Sequence, residues 1–184
     1  MDDQPVHANH RVQHRYPREV KFCALCGAEM ESRVVLPDRK RLPVCPRCGF
    51  VFFSSPKLVV GCLVVERGRV LLIRRGIEPA LGKWTFPGGF VEFNETAADA
   101  AARESLEEVG LAVRLGAVLG VYTDPANSNT QVITYLAETS GSPATSAEAT
   151  EVRYFAPNEI PWGELAFRST HDALTDWVTS VRAR

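Results

Sequence analysis

The sequence predicts an α+β chain with the architecture of an α/β/α sandwich, preceded by a small cysteine-bounded unit. Two Cys-x2-Cys pairs delimit the small unit, and the remainder combines several short apolar segments with only two helical patterns. The 184 residues are 45% apolar and 23% charged, which is ordinary usage for a globular protein. The length therefore suggests one main domain with an appendage.

We expect three parts along the chain. Residues 1–20 contain no apolar stretch and no signal-peptide layout, so they are interpreted as a disordered tail. Residues 21–55 hold the cysteine pairs, and residues 56–184 hold the main domain. Because no run of about eighteen apolar residues occurs, we expect no membrane span and a cytoplasmic location.

The main domain is predicted to begin with a β-hairpin. Residues 58–66 are nearly all apolar and β-branched, which favours a buried strand. Arg67-Gly68 is typical of a tight turn, and residues 69–75 are expected to form the second strand. A loop is expected over residues 76–83.

One strong helix follows a glycine-rich turn. Trp84–Phe86 is expected to be a short strand that ends at Pro87-Gly88-Gly89, and residues 90–93 alternate in polarity. Residues 96–109 are rich in alanine and precede Gly110, a usual C′ residue, so they are predicted to be helical.

The second half of the chain is predicted to contain three further strands and a closing helix. The strands are expected at 111–122, 131–138 and 152–155, and the helix at 169–182. A polar turn is expected at 124–130. The segment 139–150 is rich in Ser, Thr, Ala and Gly, and we expect it to be mobile.

Charge is distributed unevenly along the chain. The formal net charge is -1, so there is no global basic field and nucleic-acid binding is not expected. Residues 1–57 hold ten Lys/Arg against six Asp/Glu, whereas residues 76–110 hold two against seven. An acidic block this dense needs either solvent or cations around it.

Three glutamates stand out on the predicted helix. A helical wheel at about 100° per residue assigns one arc to packing on the sheet. This arc holds Ala98, Ala102, Ser105, Leu106 and Val109. Glu104, Glu107 and Glu108 fall on the far side, where they repel one another near the unfavourable end of the helix dipole. They are therefore either a solvated face or oxygen ligands for Mg²⁺.

The surroundings of these glutamates match a longer pattern. From Gly89 the chain reads Gly-x5-Glu95-x7-Arg103-Glu104-Ser105-x-Glu107-Glu108-x-Gly110-Leu111. This resembles the Nudix box, Gly-x5-Glu-x7-Arg-Glu-U-x-Glu-Glu-x-Gly-U, in which U is a bulky aliphatic residue. Ser105 at the first U position is a departure, which puts the seating of the helix in question. The resemblance implies a Nudix hydrolase fold, an α/β/α sandwich with a mixed sheet.

The resemblance implies a metal-dependent enzyme that cleaves a pyrophosphate. Glu104 and Glu108 would be the principal ligands of Mg²⁺ or Mn²⁺, with Glu107 joining directly or through water. Arg103 would hold an acidic neighbour, either Glu104 or Glu95. The Gly88-Gly89 turn would let the backbone approach metal or phosphate.

Further catalytic and binding residues lie outside the box. The general base is Glu107, Glu104 or a carboxylate from a later loop, where Glu148 and Glu151 flank the end of the segment expected to be mobile. Of these two, Glu151 is assigned to the catalytic set. The substrate-binding set is completed by Arg74 and Arg75, as phosphate partners at a strand end, and by Trp84, as a ring for stacking.

Four of the five cysteines predict a second metal site. Cys23 and Cys26 are separated by 18 residues from Cys45 and Cys48, and a glycine follows each pair. Four thiolates at this spacing suit tetrahedral Zn²⁺ in a small zinc ribbon, for which we favour a structural role. Cys62, alone in an apolar strand, is expected to be a buried packing residue.

Two groups of Nudix proteins resemble this combination of ribbon and box. NADH pyrophosphatases carry a Ser-Gln-Pro-Trp-Pro-Phe-Pro run that is missing here. Bacterial proteins related to plant plastid FAD pyrophosphatases are similar from about Cys23 to Trp177, including Ser55-Pro56-Lys57 and Glu159-Ile160-Pro161-Trp162. This implies FAD or ADP-ribose as substrate, with release of AMP. One alternative substrate is another nucleotide such as NADH. The alternative function is that of a regulator that senses a nucleotide without cleaving it. The resemblance is also compatible with a homodimer.

Overall fold

The structure is a computed structural model that describes residues 20–124 and 127–183. The tail expected over residues 1–20 lies outside the described residues except for Val20. Contacts divide the chain into two compact units, Met1–Ser55 and Pro56–Arg184. Each unit is described by itself below.

The first unit is built on a two-stranded antiparallel sheet. Strand β1 (Glu31–Val35) pairs with β2 (Lys40–Val44) in a register that places Glu31 opposite Val44. Isolated bridges join Phe22 to Glu29 and Val44 to Val51, so each bridge closes a loop that carries one cysteine pair. So small a sheet offers little core, and the cysteine pairs flank it in sequence.

The second unit contains a mixed sheet of seven strands. They are β3 (Lys57–Glu66), β4 (Arg69–Arg75), β5 (Trp84–Thr85), β6 (Gly88–Phe90), β7 (Arg114–Asp124), β8 (Asn127–Glu138) and β9 (Ala149–Phe155). The main path runs β5-β4-β3-β8-β7, while β6 pairs with β3 and β9 pairs with β4. The β3–β8 ladder is parallel and the others are antiparallel, so the predicted mixed sheet is confirmed.

Two helices cover the sheet from opposite sides. Helix α1 (Ala97–Val109) belongs to one core cluster, with Cys62 and Leu71, and helix α2 (Arg168–Arg182) belongs to the other, with Leu63 and Leu72. These partners are neighbours in sequence, and neighbouring strand residues point to opposite faces of a sheet. The predicted α/β/α sandwich is therefore confirmed. Among the described residues, none of the helices has the length and hydropathy needed to span a membrane.

Some element boundaries differ from those predicted. Strand β8 begins at Asn127, which pairs with Asp124, so residues 127–130 of the expected polar turn belong to the strand, and residues 125–126 lie outside the described residues. The ladder continues through a polar sequence because pairing between backbone groups does not depend on side-chain polarity. Strand β9 begins at Ala149, so the last two residues of the segment expected to be mobile belong to the sheet.

The packing face of α1 also differs from prediction. Leu106, assigned to the packing arc, is 56% exposed, whereas Ala100 and Ala101 are buried. Glu108, assigned to the far side, is only 7% exposed. Ser105 and Val109 of the predicted arc are buried, so the prediction holds for them. Small alanine side chains let the helix lie close to the sheet, and the buried arc extends to Glu108 and leaves Leu106 outside.

Candidate active site and cysteine site

The loop and helix that carry the acidic residues are held at both ends of the helix. The Thr96 side chain accepts a hydrogen bond from the backbone N–H of Asp99 at 3.1 Å, which is an N-cap. Gly110 has φ 69°, and its N–H donates to the carbonyl of Leu106 at 2.9 Å. Helix α1 therefore begins and ends where the sequence predicts.

Two carboxylates face the glycine turn at β6. The N–H of Gly88 donates to Oε2 of Glu108 at 2.8 Å. A Cβ at residue 89 would lie less than 3.0 Å from both carboxylate oxygens of Glu104. A Cβ at residue 88 would collide with the backbone of Val60 on β3. The two glycines thus let the carboxylates and the backbone come this close.

Burial makes the negative charge of these carboxylates unfavourable. It raises the pKa of Glu108 to about 8, and the nearby charge of Glu104 adds to this shift while the bond from Gly88 opposes it. Burial likewise raises the pKa of Glu104, against the effect of the neighbouring Arg103. Two partly buried carboxyl groups that repel each other form a donor set that a hard divalent cation fits.

Arg103 ties the acidic residues into one network. Its Nη2 donates to Glu95 at 2.7 Å, and its Nη1 donates to Glu104 at 2.9 Å and to Glu107 at 3.0 Å. Nη2 also donates to the carbonyl of Phe90 at 3.1 Å. Glu104 and Glu95 are the two alternatives predicted as partners of Arg103, and Arg103 bonds both. These bonds fix the glycine turn, the loop and the helix relative to one another.

Glu107 is placed differently from the other two glutamates. Its side chain is 58% exposed. Among the hydrogen bonds of the described residues, it accepts only the one from Nη1 of Arg103, at 3.0 Å. It therefore lies at the rim of the acidic cluster, where it can reach a metal or a solvent molecule from outside.

Glu148 and Glu151 have different surroundings. The charge of Glu148 contributes to the raised pKa of both Glu104 and Glu108. Glu151 lies on β9 and forms an ion pair with Arg74 at 3.4 Å. The charge that acts on the helix carboxylates is thus that of Glu148, whereas the assigned Glu151 is paired with Arg74. Both have the same local sequence signal, so only the fold distinguishes them.

The two arginines at the end of β4 also differ. Arg74 lies over the Trp84 ring and pairs with Glu164 at 3.3 Å as well as with Glu151. Arg75 is half-buried, its Nε donates to the carbonyl of Pro79 at 2.7 Å, and burial lowers its pKa. The charges of Glu108 and Glu148 act on Arg75 and oppose that shift. Of the two, Arg75 is the one near the acidic cluster.

Trp84 does not have the exposed face that stacking on a substrate needs. It is 3% exposed and packs edge-to-face on Phe155, with 5.0 Å between ring centroids. The prediction that Trp84 binds substrate is therefore wrong. The reason is that β5 lies beside β4, where the ring points into the core that α2 covers.

In the first unit, the four predicted cysteines come together. Their sulfur atoms all lie within 4.8 Å of one another, with 3.6 Å between Cys23 and Cys48 and 3.5 Å between Cys26 and Cys45. Sulfurs around tetrahedral zinc are about 3.8 Å apart when Zn–S is near 2.3 Å. The set therefore fits a zinc ion.

The two cysteine loops have the same backbone form. The N–H of Gly27 donates to the carbonyl of Cys23 at 2.9 Å, and that of Gly49 donates to Cys45 at 3.0 Å. Both glycines have positive φ, 70° and 76°. Backbone N–H groups of Cys48 and Arg47 help to lower the pKa of Cys45, whereas, against the backbone bond from Phe50, the neighbouring thiols raise the pKa of Cys48, so without a metal the negative charge lies on Cys45. Cys62 lies elsewhere, buried in β3 as predicted.

Comparisons with known proteins identify the family to which this fold belongs. The sequence model of the NUDIX domain matches residues 55–178. An ADP-ribose pyrophosphatase of Methanocaldococcus jannaschii is 34% identical over 119 residues, 62% of this chain and 69% of that protein. The NAD-capped RNA hydrolase NudC of Haemophilus influenzae is 29% identical over 168 residues, 84% of this chain and 60% of that protein. A crystal structure of a NUDIX hydrolase from Nitrosomonas europaea has a TM-score of 0.81 at 36% identity, covering 89% of this chain and 93% of that one.

Proposed function

Because this chain belongs to the Nudix hydrolase family, we propose that it hydrolyses the pyrophosphate bond of a nucleoside diphosphate derivative. The observation that carries the proposal is the pair Glu104 and Glu108, buried against the Gly88-Gly89 turn and held by Arg103. Two carboxyl groups with raised pKa values and an exposed third one, Glu107, form a site for cations beside a glycine turn.

Glu104, Glu108 and Glu107 would hold Mg²⁺ or Mn²⁺, the first two from within the buried face and the third from the rim. When bound, the divalent cation would neutralise the pyrophosphate and lower the pKa of an attacking water. Arg103 keeps the carboxylates aimed, since it joins Glu104 and Glu107 to Glu95 in the loop. Because catalysis of phosphoryl transfer depends on positioning, this network is part of the machinery.

Arg75 and Glu148 complete the proposed set. Arg75 is a half-buried cation whose charge already interacts with Glu108, so a phosphate bound at the acidic cluster would lie within its field. Glu148 is an exposed carboxylate near the same cluster and would accept the proton of the attacking water. Arg74 and Glu151, paired with each other, would act at most at the edge of the substrate.

For the substrate, we propose ADP-ribose or FAD, each cleaved to release AMP. The Methanocaldococcus jannaschii relative is an ADP-ribose pyrophosphatase, which supports the first. The likeness of the sequence to FAD pyrophosphatases supports the second. NADH is the next candidate, because a NudC relative acts on NAD-capped RNA. A regulator without activity is disfavoured by the complete set of box glutamates.

The four cysteines of the first unit would hold one zinc ion, which would stabilise the small ribbon and supply no chemistry to the active site. We propose a cytoplasmic location, where the reducing environment would keep the four thiols available for zinc.

The experiment is a substrate panel. The chain is incubated with Mg²⁺ and FAD, ADP-ribose, NADH or dGTP, and the products are separated. We expect AMP with FMN or ribose 5-phosphate, abolished by EDTA. Turnover of dGTP alone would move the assignment to a nucleoside triphosphate hydrolase. No turnover on any substrate, with nucleotide still bound, would favour the sensor.

A further inference from the structure

A tight turn brings Glu148 to the acidic cluster. Residues 146–149, here named the Glu148 turn, are closed by a hydrogen bond from the N–H of Ser146 to the carbonyl of Ala149 at 3.0 Å. The Ser146 hydroxyl accepts bonds from the N–H groups of Glu148 at 3.2 Å and Ala149 at 3.1 Å. Three bonds within four residues give the turn a defined shape.

The turn is docked on Gly76, the residue that follows β4. The N–H of Gly76 donates to the carbonyl of Glu148 at 2.8 Å. On its other side, the Gly76 backbone touches the turn so closely that a Cβ there would collide with the carbonyl of Ala147. The neighbouring Thr150 hydroxyl donates to the carbonyl of Arg74 at 3.1 Å. Only glycine fits at position 76, although its φ lies outside the left-handed region.

The position of the turn decides where the charge of Glu148 lies. The segment that leads into the turn is bonded to the end of α1, since the N–H of Ala144 donates to the carbonyl of Val109, the residue after Glu108, at 2.9 Å. The exposed side chain of Glu148 follows four residues later, and its charge acts on Glu104 and Glu108. The backbone N–H of Glu148 donates to the Ser146 hydroxyl, and its carbonyl accepts from the N–H of Gly76.

We propose that Gly76 and Ser146 are positioning residues that hold Glu148 in reach of the reacting water and the metal-binding glutamates. The proposal rests on the function proposed above. It assigns to Gly76 a role in the reaction, through Glu148, and not merely in loop formation. Misplacement of a catalytic group by about 1 Å can cost on the order of a hundredfold in rate.

The test is a double-mutant cycle on the full chain, with ADP-ribose and FAD as substrates. Glu148→Gln should lower kcat on the order of a hundredfold, as expected for loss of a general base. Gly76→Ala should lower kcat by about tenfold or more with KM nearly unchanged. The double variant should be no slower than Glu148→Gln alone, because both changes remove the same group. Ser146→Ala should give a smaller loss in the same direction.

Gly163→Ala is the matched control, since a Cβ at Gly163 meets nothing within 4 Å, and it should keep wild-type kcat. If Gly76→Ala does not fold, the double-mutant cycle is measured with Ser146→Ala and Glu148→Gln instead. Wild-type kcat in Gly76→Ala and Ser146→Ala would overturn the inference, as would losses that multiply in the double variants. A wild-type chain that cleaves no substrate would instead overturn the proposed function, and the inference with it.

Discussion

The carboxylate of Glu104 lies where a side chain on Gly89 would have to be. A Cβ at residue 89 would approach both oxygens of Glu104 to less than 3.0 Å, and no other group is among its nearest neighbours. The turn at β6 and the helix α1 therefore meet through a carboxylate packed on bare backbone. Glu104 can therefore occupy this position only while residue 89 is a glycine.

Gly89→Ala should abolish most of the activity without unfolding the chain. The added methyl group displaces Glu104 and strains its bond with Arg103, so the two main cation ligands can no longer converge. We expect kcat/KM to fall on the order of a hundredfold, with Mg²⁺ affinity reduced in parallel. Gly163→Ala serves again as the control. Full activity in Gly89→Ala would show that Glu104 is not needed where the structure has it.

Arg103→Lys should impair the enzyme although charge is retained. Lysine offers one point charge, whereas Arg103 bonds Glu95 with two nitrogen atoms and reaches Glu104, Glu107 and the carbonyl of Phe90 at once. We expect kcat to fall by about tenfold or more. Steady-state kinetics of Arg103→Lys and Glu95→Gln, singly and together, would measure this.

The two changes should not multiply, because each releases the same loop. Arg33→Lys is the control: it also changes an arginine that bonds a glutamate, Glu31, but in the first unit and in an exposed pair. Wild-type kcat in Arg103→Lys would mean that any cation at this position suffices.

Local signals explain what the sequence predicts well. The caps of α1 at Thr96 and Gly110 depend on residues next to the helix end, so their outcome needs no knowledge of the fold. Strand β4 ends at Arg75 as predicted, because Gly76 begins the loop that follows. The spacing of the four cysteines likewise indicates their convergence, since four thiols at this spacing have few other uses.

Long-range packing explains what the sequence predicts poorly. The inward face of α1 is decided by how close the sheet lets the helix come, so Leu106 points outward and Glu108 inward. Trp84 is buried because α2, some ninety residues later in the chain, covers the same face of the sheet. The choice between Glu148 and Glu151 depends on the pairing of β9 with β4, which no local pattern contains.

Zinc should be bound by the first unit at about one ion per chain. The four sulfurs are within 4.8 Å of one another, so removal of a single one should leave a site of three ligands with much weaker binding. Elemental analysis of wild type and Cys45→Ser would measure this, with Cys62→Ala as the control because Cys62 lies in β3, outside the cluster. Equal zinc content in Cys45→Ser and wild type would contradict the assignment.

Glu108 should make the metal-free protein less stable as the pH rises. In the unfolded chain its carboxyl group ionises near pH 4.5, whereas burial raises its pKa to about 8 in the folded state. Between these values the folded protein binds more protons than the unfolded chain, so the free energy of unfolding falls with increasing pH. Below pH 4.5 and above pH 8 this group contributes no slope. Thermal denaturation in EDTA from pH 5 to pH 8 would show the decline.

The comparison that isolates Glu108 is Glu108→Gln, which has no ionisable group there and should show a flatter profile than wild type. Glu138→Gln, in an exposed pair with Arg114, controls for the loss of one negative charge and should keep the wild-type slope. Mg²⁺ should restore wild-type stability more at pH 8 than at pH 5, because the ion binds the ionised carboxylate and compensates for its burial. Glu108→Gln should lose both this stabilisation and turnover. Parallel profiles of wild type and Glu108→Gln, with and without Mg²⁺, would exclude Glu108 as a cation ligand.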